Sequence, residues 1–436
     1  MNKNKRKDNT IFTSNLINTL ILTVLFCLVL LNFYGDINNY YFFGYVLTIA
    51  IYLFLLITFN SLFGAYDIAN SKTSDIAFSY FLGCLFPNIL IYLEWSLISK
   101  RLPVVLPILL LLLGQTLIAT LFVYLEKQYI LKKFPPLKTL LIHGDDYSEV
   151  KDKLIKYQHY NFNIFKETTY NKLDKISLDI YECLLLIDLT DSQKDELLRK
   201  AYDKNIPCFI IPSVSDLLIN TSRMIHFIDT PIIKVNTFGP NKAESIIKRL
   251  IDILGSLVLL IIASPFMLIT ALAIKIQDGG PIFYRQTRLT KDEKTFEMVK
   301  FRSMIVNAEA DGKAVFTKEG DSRITPVGKF IRATRIDELP QLLNILKGDM
   351  SFVGPRPERP EIVKEIIKDV PEFNYRLKVK AGLTGYAQLY GKYNTSLKDK
   401  LLLDLYYIEN YSILLDLKLL ILTIKIVFKK ESTEGY

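Results

Sequence analysis

The chain has 436 residues, of which 50% are hydrophobic and 12% aromatic, and its formal net charge is +9. Its length accommodates two or three domains, and its hydrophobic content exceeds what a soluble enzyme needs. The positive charge fits either the cytoplasmic flanks of membrane helices or a surface for anionic lipids or phosphate substrates. No basic run is interleaved with stacking aromatic residues, which argues against a nucleic-acid partner.

Four long apolar stretches occupy the first 130 residues, at Asn9 to Gly35, Ile37 to Tyr66, Ala77 to Ile98 and Leu102 to Leu125. Each is long enough for a membrane-spanning helix of about 20 residues. Lys and Arg cluster at the start of the chain and around Lys127 to Lys138, so both ends of this block are expected in the cytoplasm. Lys100 and Arg101, on the opposite side, run against this orientation. The pattern predicts an N-terminal four-helix transmembrane bundle over residues 1–130.

Residues 138–237 have the alternation of a small, parallel, Rossmann-like α/β domain. Buried strands are expected at Thr139 to His143, Cys183 to Asp188 and Cys208 to Pro212, with helices around Tyr147 to Tyr157 and Asp191 to Asp203. The first strand is followed by Gly144, but the second and third glycines of the dinucleotide-binding fingerprint are missing. A structural or regulatory role is therefore favoured over nucleotide binding.

Cysteine and histidine positions restrict the chemistry of the C-terminal part of the chain. No pair of cysteines has metal or redox spacing, and no Cys or His occurs beyond residue 226. Chemistry in residues 243–436 must therefore use carboxylates, Lys, Arg, Ser or Tyr. Thiolate and imidazole mechanisms are excluded there, as is a His/Cys zinc site.

A fifth apolar stretch, Ile253 to Ile274, contains Ser264-Pro265 at its centre. Proline removes a backbone hydrogen bond and favours a kink. The stretch could span the membrane, or it could bend and return to the same face, and the sequence physics does not choose between these. After Lys275 the chain is expected to be soluble and irregular to about Gly391.

The last apolar stretch, Tyr411 to Phe428, is interrupted by Asp416, Lys418 and Lys425. This pattern favours an amphipathic helix that lies in the membrane interface. A helix buried within the protein is the alternative.

Two adjacent acids, Asp337 and Glu338, precede Leu339-Pro340. Proline is favoured at the first position of a helix, an apolar stripe continues at Leu342, Leu343 and Leu346, and Gly348 predicts the helix end. The simplest interpretation is a helix cap without chemistry. The alternative is a site for phosphate chemistry, because a helix N-terminus favours anions.

Cations surround the two acids in the sequence. Strand alternation in FEMVKFRSM places Lys300 and Arg302 on one face. Arg332 precedes the acids, and Arg356 lies in a turn fixed by two prolines. Arginine binds phosphate in bidentate fashion, Mg²⁺ is usually held by one or two carboxylates plus substrate phosphates, and a carboxylate can attack phosphorus. The pattern indicates a diphosphate substrate.

The segment Asp337 to Pro357 resembles the signature of the bacterial sugar transferase family, the polyprenol phosphate phosphoglycosyl transferases. It is most similar to the large monotopic type that initiates exopolysaccharide or capsule repeat units. Further similar blocks are Lys248 to Asp252, Ser264-Pro265, Gly280 to Arg288, Lys300 to Met304 and Ala381 to Gly391. Many relatives have Pro-Gly in place of Ala381-Gly382 and Trp in place of Tyr386. These departures concern the local loop and leave the chemistry unchanged.

The resemblance implies transfer of a hexose 1-phosphate from a UDP-sugar to undecaprenyl phosphate, with release of UMP. Asp337 would be the nucleophile of a covalent phospho-sugar intermediate, and Glu338 its partner in binding Mg²⁺ or transferring a proton. Phosphates would be bound by Lys300, Arg302, Arg332 and Arg356. The C-terminal catalytic domain, residues 243–436, would be α/β-mixed with interfacial amphipathic helices. A re-entrant helix at about 250–275, broken at Ser264 and Pro265, would keep it on the cytoplasmic face of the bacterial inner membrane.

Two other functions remain open from the residues alone. One is a glycosyltransferase that moves the sugar without its phosphate and releases UDP. The other is a membrane scaffold or sensor of polysaccharide assembly. The identity of the sugar is also open, and the large N-terminal half could build a homodimer.

Overall fold

A computed structural model describes residues 3–35, 42–68, 71–144, 162–220, 222–227, 230–235, 239–306, 308, 321–391 and 395–427. The chain forms two compact units, Met1–Ile211 and Pro212–Tyr436. The helix predicted at Tyr147 to Tyr157 lies outside the described residues. The predicted domain limits at residues 130, 138, 237 and 243 stay a prediction.

The first unit begins with four helices: α1 (Lys3–Phe33), α2 (Phe42–Leu62), α3 (Thr73–Ser99) and α4 (Leu106–Lys133). α1 packs against α2 and α4, and α3 also packs against both. Their shared core includes Phe26, Tyr52 and Trp95. Each helix is long and apolar enough to cross a membrane, so the chain is a membrane protein, as its composition predicted.

A buried polar cluster links all four helices. The Gln115 amide of α4 donates to the Tyr52 hydroxyl at 2.6 Å and to the Leu22 carbonyl at 3.2 Å, and accepts from Asn88 at 3.0 Å. Such interhelical hydrogen bonds satisfy polar groups where lipid offers no partner. The cluster therefore fixes the register of the helices against one another.

The first unit also contains a parallel sheet. Its strands are β1 (Leu137–His143), β2 (Phe162–Thr169), β3 (Cys183–Ile187) and β4 (Cys208–Ile210), in the order β2-β1-β3-β4. Helix α5 (Asp191–Asp203) packs Leu197 and Ala201 against it. The three predicted strands and this helix are confirmed, but β4 is largely exposed and not buried as predicted. β2 was missed because it is a polar, largely exposed edge strand.

The second unit is built from short elements. Helices α6 (Val214–Asn220) and α7 (Lys242–Asp278) are followed by α8 (Pro326–Ala333), α9 (Gln341–Lys347), α10 (Pro360–Asp369), α11 (Tyr386–Tyr390), α12 (Leu397–Glu409) and α13 (Ile413–Val427). The strands form antiparallel pairs β5 (Arg223–Phe227) with β6 (Thr230–Lys234) and β7 (Phe283–Leu289) with β8 (Thr295–Phe301), and a parallel pair β9 (Ser351–Val353) with β10 (Gly382–Thr384).

The expectation of irregular chain from Lys275 to Gly391 was therefore wrong. This region holds a hairpin, a parallel strand pair and several helices. Most of these elements have three to ten residues, too few to show a clear hydrophobic period. α6 packs against α12, which places residues 214–220 with the second unit.

Near its N-terminal end, α7 holds the rest of the second unit through charged side chains. Arg249 donates to the Ile345 and Leu346 carbonyls of α9, each at 2.7 Å. Asp252 accepts from the Ser351 hydroxyl and the Phe352 N–H of β9, each at 3.0 Å. Buried backbone groups of two separate elements are thus satisfied from one helix.

Lys248 extends this contact to the C-terminal helix. Its ammonium donates to the Val353 carbonyl at 3.0 Å and pairs with Asp416 of α13 at 2.5 Å. The Tyr407 hydroxyl donates to the same carboxylate at 2.7 Å. One of the charges that interrupt the last apolar stretch is therefore buried and paired within the unit.

The middle of α7 carries the predicted break residues. Pro265 has no N–H, so it cannot donate to the Ile261 carbonyl four residues earlier. The Ser264 hydroxyl donates to that carbonyl at 2.8 Å, which satisfies the freed backbone group. α7 is a fifth helix long and apolar enough to cross a membrane among the described residues.

Asp252 is expected to support stability of the second unit. Asp252→Ala leaves two buried donors of β9 without an acceptor, at a cost of about 2 to 4 kcal/mol. Thermal unfolding of the full chain in detergent should show a clearly lower Tm. Lys242→Ala, at an exposed position of the same helix, should melt like the wild type. An unchanged Tm for Asp252→Ala would contradict the assignment.

Candidate active site

The two acids lie in a 3₁₀ turn, Ile336–Glu338, that directly precedes α9. Arg335 enters this turn with φ +56°, in the left-handed region, and Pro340 stands immediately before the helix. Gly348 ends α9 with φ +98°, as predicted. The acids were expected at or just before the helix N-terminus, and they lie just before it, in a separate turn.

The buried face of α9 differs from the predicted apolar stripe. Leu342 is buried as expected, but Leu343 is 46% exposed and Ile345, not Leu346, is fully buried. Asn344 is also buried, because its amide accepts from the Val299 N–H at 3.0 Å and donates to the Glu297 carbonyl at 2.8 Å. These bonds join α9 to β8, the strand that carries Lys300.

Glu338 is surrounded by cations. Its carboxylate lies 3.1 Å from Lys300 Nζ, 3.4 Å from Arg356 Nη2 and 3.9 Å from Arg335 Nη1. Burial opposes its charge, but these cations outweigh burial and hold the pKa of Glu338 well below its usual range. Glu338 is therefore ionised.

Asp337 is 8% exposed, and its surroundings act in the opposite direction. Burial and the neighbouring negative charge of Glu338 raise the pKa of Asp337, while the charges of Lys300, Arg332 and Arg356 partly offset the rise. Two adjacent carboxylates with pKa values pushed apart are typical of a functional site.

Arg356 is held by the backbone of its own turn. Arg376, in a buried ion pair with Asp404 at 2.7 Å, donates to the Arg356 carbonyl at 3.1 Å. The same turn packs tightly on β10, since a Cβ on Gly382 would lie 2.1 Å from the Gly354 nitrogen. Arg356 therefore projects from a rigid support.

The structure brings together five of the six predicted catalytic and phosphate-binding residues. Lys300, Arg332 and Arg356 surround Asp337 and Glu338. Arg302 follows the last residue of β8 and is paired with Asp278 at the end of α7. Its predicted phosphate contact stays a prediction.

Some residues of the site were not predicted. Arg288 and Gln341 line the same pocket as Glu338, Lys300 and Arg356. Arg288 belongs to a block that carried the family resemblance, which was the available signal, whereas no sequence signal marked Gln341 or Asn344. Arg335, which contacts Glu338, was expected only as one of the cations just ahead of the acid pair.

The acid pair offers carboxylate ligands of the kind that bind Mg²⁺. Across the residues that the structure describes, no group of three or more His, Cys, Asp or Glu side chains could hold a metal. Asp337 and Glu338 offer two adjacent carboxylates, the hard oxygen ligands that Mg²⁺ prefers. This set fits an ion bound by one or two carboxylates together with substrate phosphates.

These features define a class: a membrane protein whose C-terminal unit presents a buried acid pair among cations suited to phosphate. The family model for bacterial sugar transferases matches residues 243–430. An uncharacterized sugar transferase of Bacillus subtilis is 38% identical over 190 residues, covering 43% of this chain and 91% of that protein. The chain belongs to the bacterial sugar transferase family.

Several relatives, among them the following two, have names that state an activity. A UDP-glucose:undecaprenyl-phosphate glucose-1-phosphate transferase of Caulobacter vibrioides is 37% identical over 191 residues, covering 42% of this chain and 71% of that protein. A UDP-N-acetylgalactosamine-undecaprenyl-phosphate N-acetylgalactosaminephosphotransferase of Aeromonas hydrophila is 38% identical over 226 residues, covering 51% of this chain and 52% of that protein. The chain thus spans about half the length of longer curated relatives.

Proposed function

We propose that this protein transfers a hexose 1-phosphate from a UDP-sugar to undecaprenyl phosphate and releases UMP. The observation that carries the proposal is the buried Asp337 beside an ionised Glu338. The charges of Lys300 and Arg356 act on both carboxylates, and the charge of Arg332 acts on Asp337. The names of the relatives support the same reaction. It would be the first membrane step of exopolysaccharide or capsule synthesis.

The proposed mechanism has two displacements at phosphorus. The Asp337 carboxylate attacks the sugar-bearing phosphate, the bond to the nucleoside phosphate breaks, and UMP departs with that bridging oxygen. A phosphate oxygen of undecaprenyl phosphate then attacks the aspartyl phosphate, and Asp337 leaves as a carboxylate. Lys300, Arg332 and Arg356 stabilise the charge on the phosphates, since positioning and charge neutralisation supply most of the catalysis in phosphoryl transfer.

Mg²⁺ would be held by Asp337 and Glu338 together with the substrate phosphates. Bound there, it would supply charge neutralisation at the diphosphate. Glu338 would also position Lys300 and Arg356 through its ion pairs.

We infer that α7 enters the membrane and returns to the same face. Its start is bound to α9 and β9 through Arg249 and Asp252, and its end packs Ile274 against Phe301 and pairs Asp278 with Arg302. Both ends therefore contact the same unit. α7 is one continuous helix through Ser264-Pro265, so the proposed re-entrant path takes the form of a bend at this pair, with the active site on the cytoplasmic face of the inner membrane.

Further parts of the proposal concern the remaining elements. α13 would lie at the membrane interface, since Leu414 and Leu417 are exposed while Asp416 faces the protein. The parallel sheet of the first unit would be a Rossmann-like accessory domain, because its strand order reverses between β1 and β3. α1 to α4 would form a transmembrane bundle, and a homodimer is proposed without a defined interface.

Asp337→Asn should abolish turnover, because an amide cannot form the acyl phosphate; the expected loss is at least about 1,000-fold. Wild-type membranes supplied with a panel of UDP-sugars and undecaprenyl phosphate should release UMP. Without acceptor, wild-type protein should retain labelled sugar phosphate, whereas Asp337→Asn should not. Release of UDP in place of UMP would support a glycosyltransferase that moves the sugar without its phosphate. Wild-type-like turnover by Asp337→Asn would exclude Asp337 as the nucleophile.

The pH dependence of the first displacement should report on Asp337. Its raised pKa means that kcat/KM for the UDP-sugar falls on acidification at a higher pH than for an ordinary aspartate, because only the ionised form attacks. Glu338→Gln removes the charge that helps to raise this pKa. Its normalised acid limb should therefore move to lower pH, whatever its maximal rate.

Folded protein must be verified by its melting curve at each pH. An acid limb that stays in place, or moves to higher pH in Glu338→Gln, would contradict the proposed interaction between the two carboxylates.

The topology of α7 can be tested with paired reporter fusions. Reporters fused after Lys133 and after Tyr436 should give the same cytoplasmic signal, because a re-entrant helix does not change sides. A chain truncated at Lys133 serves as the internal reference. Opposite signals from the two fusions would show that α7 spans the membrane.

A further inference from the structure

Two buried donors belong to residues that line the pocket beside the acid pair. Gln341 is only 3% exposed and lines the pocket with Glu338, Lys300 and Arg356. Within the described part of the chain, neither its Nε2 nor the Nε of Arg288, another lining residue, has a hydrogen-bond partner. Buried donors of this kind cost free energy unless an acceptor is supplied. A ligand rich in acceptor oxygens would satisfy them.

Arg288 is held so that its guanidinium stays in the pocket wall. One terminal nitrogen donates to the Pro357 carbonyl at 3.2 Å, and the other donates to Gln286 at 2.5 Å. Glu358 lies 3.6 Å away. These contacts fix both terminal nitrogens, and the Nε–H has no acceptor among the described residues.

The surroundings of Arg288 are short of negative charge. The pKa of Arg288 is lowered to about 10. Burial is the main cause, Glu358 opposes it, and the charges of Arg356 and Arg359 add to it. An anionic ligand would relieve this repulsion, since an opposite charge favours the protonated form.

The charges show how Arg288 is placed relative to the nucleophile. Lys300, Arg332 and Arg356 act on Asp337, whereas Arg356 and Arg359 are the cations that act on Arg288. Arg356 is common to both sets. Arg356 also lines the same pocket as Arg288 and Glu338, so one diphosphate could contact the acid pair and Arg288 together.

We propose that Arg288 and Gln341 form a second phosphate subsite, which binds the phosphate that leaves with the nucleoside. This inference rests on the proposed function. As the bond between the bridging oxygen and the sugar-bearing phosphorus breaks, its electron pair stays on the departing phosphate. The Arg288 Nε–H and the Gln341 amide stabilise the charge that develops there.

The subsite predicts that UMP inhibition and both displacements depend on Arg288 and Gln341. In the second displacement the acceptor phosphate attacks the same phosphorus from the side that UMP left, so it occupies the same subsite. A residue that merely supports the fold would lower the melting temperature but leave UMP inhibition of the folded protein unchanged.

The test uses Gln341→Met, which removes the donors at similar volume, and Arg288→Met. Rapid mixing with UDP-sugar and no acceptor gives the rate of UMP release. Protein already loaded with sugar phosphate and freed of nucleotide then gives the rate of transfer to undecaprenyl phosphate. UMP is also assayed as an inhibitor of the first displacement.

Both variants should release UMP at least about 10-fold more slowly and bind UMP about 10-fold more weakly, as expected for lost hydrogen bonds to a charged group. Their transfer to undecaprenyl phosphate should also be slower, because the acceptor phosphate occupies the same subsite. The matched control is Arg359→Met, which also removes a positive charge near Arg288 but does not line the pocket. It should behave like the wild type in all three assays.

If Arg288→Met fails to fold, Gln341→Met carries the test, since it changes no charge. UMP inhibition that stays at the wild-type level in Gln341→Met would overturn the subsite and leave the proposed function intact. Wild-type rates of both displacements in the two variants would also overturn it. Absence of UMP release by the wild type with every UDP-sugar would overturn the proposed function, and the subsite with it.

Discussion

The geometry of the candidate site depends on hydrogen bonds from a single turn of α7 to the backbone. Arg249 binds the carbonyls that end α9, the helix that follows the acid pair. Asp252 binds the start of β9, the strand that leads to Arg356. The two segments come from different parts of the fold, so a common anchor sets the distance between the acids and the arginine. Because this anchor belongs to α7, a shift of that helix would move both segments of the site.

A second constraint is the balance between burial and charge at the acid pair. A buried carboxylate is costly unless cations or hydrogen bonds compensate it. Three cations lie within 4 Å of Glu338, whereas Asp337 shares the charges of more distant ones and feels the charge of its neighbour. The site thus separates two chemically similar groups, one that organises cations and one that can react. A substrate diphosphate would add negative charge. The cations that Glu338 does not neutralise can balance this charge.

The sequence predicted the parts of this arrangement that are encoded locally. Lys300 and Arg356 could be predicted as site residues because cations around an acid pair indicate a phosphate site. The strands of the first unit could be predicted because they are apolar runs. Arg302 was grouped with Lys300 by strand alternation, but β8 ends at Phe301, so the alternation no longer applies to Arg302. Gln341 and Asn344 were missed because their roles depend on contacts with β8 and the pocket, which no local pattern records. Leu343 was misassigned because α9 has only seven residues, and its buried face is set by its neighbours.

The Ser264-Pro265 pair links local chemistry to the meeting of two unlike substrates. Inside a bilayer, a carbonyl freed by proline has no water to accept from, so a break is tolerable only if the protein supplies a donor. The Ser264 hydroxyl does so at Ile261, which permits proline at this depth without an unsatisfied group. The helix can then begin and end on the same catalytic unit, as its contacts at Asp252 and Asp278 require. A straight span would carry one of these contacts to the far side of the membrane. The proposed return of the helix would instead leave the acid pair at the membrane surface, where the proposed nucleotide sugar and lipid phosphate could both reach it.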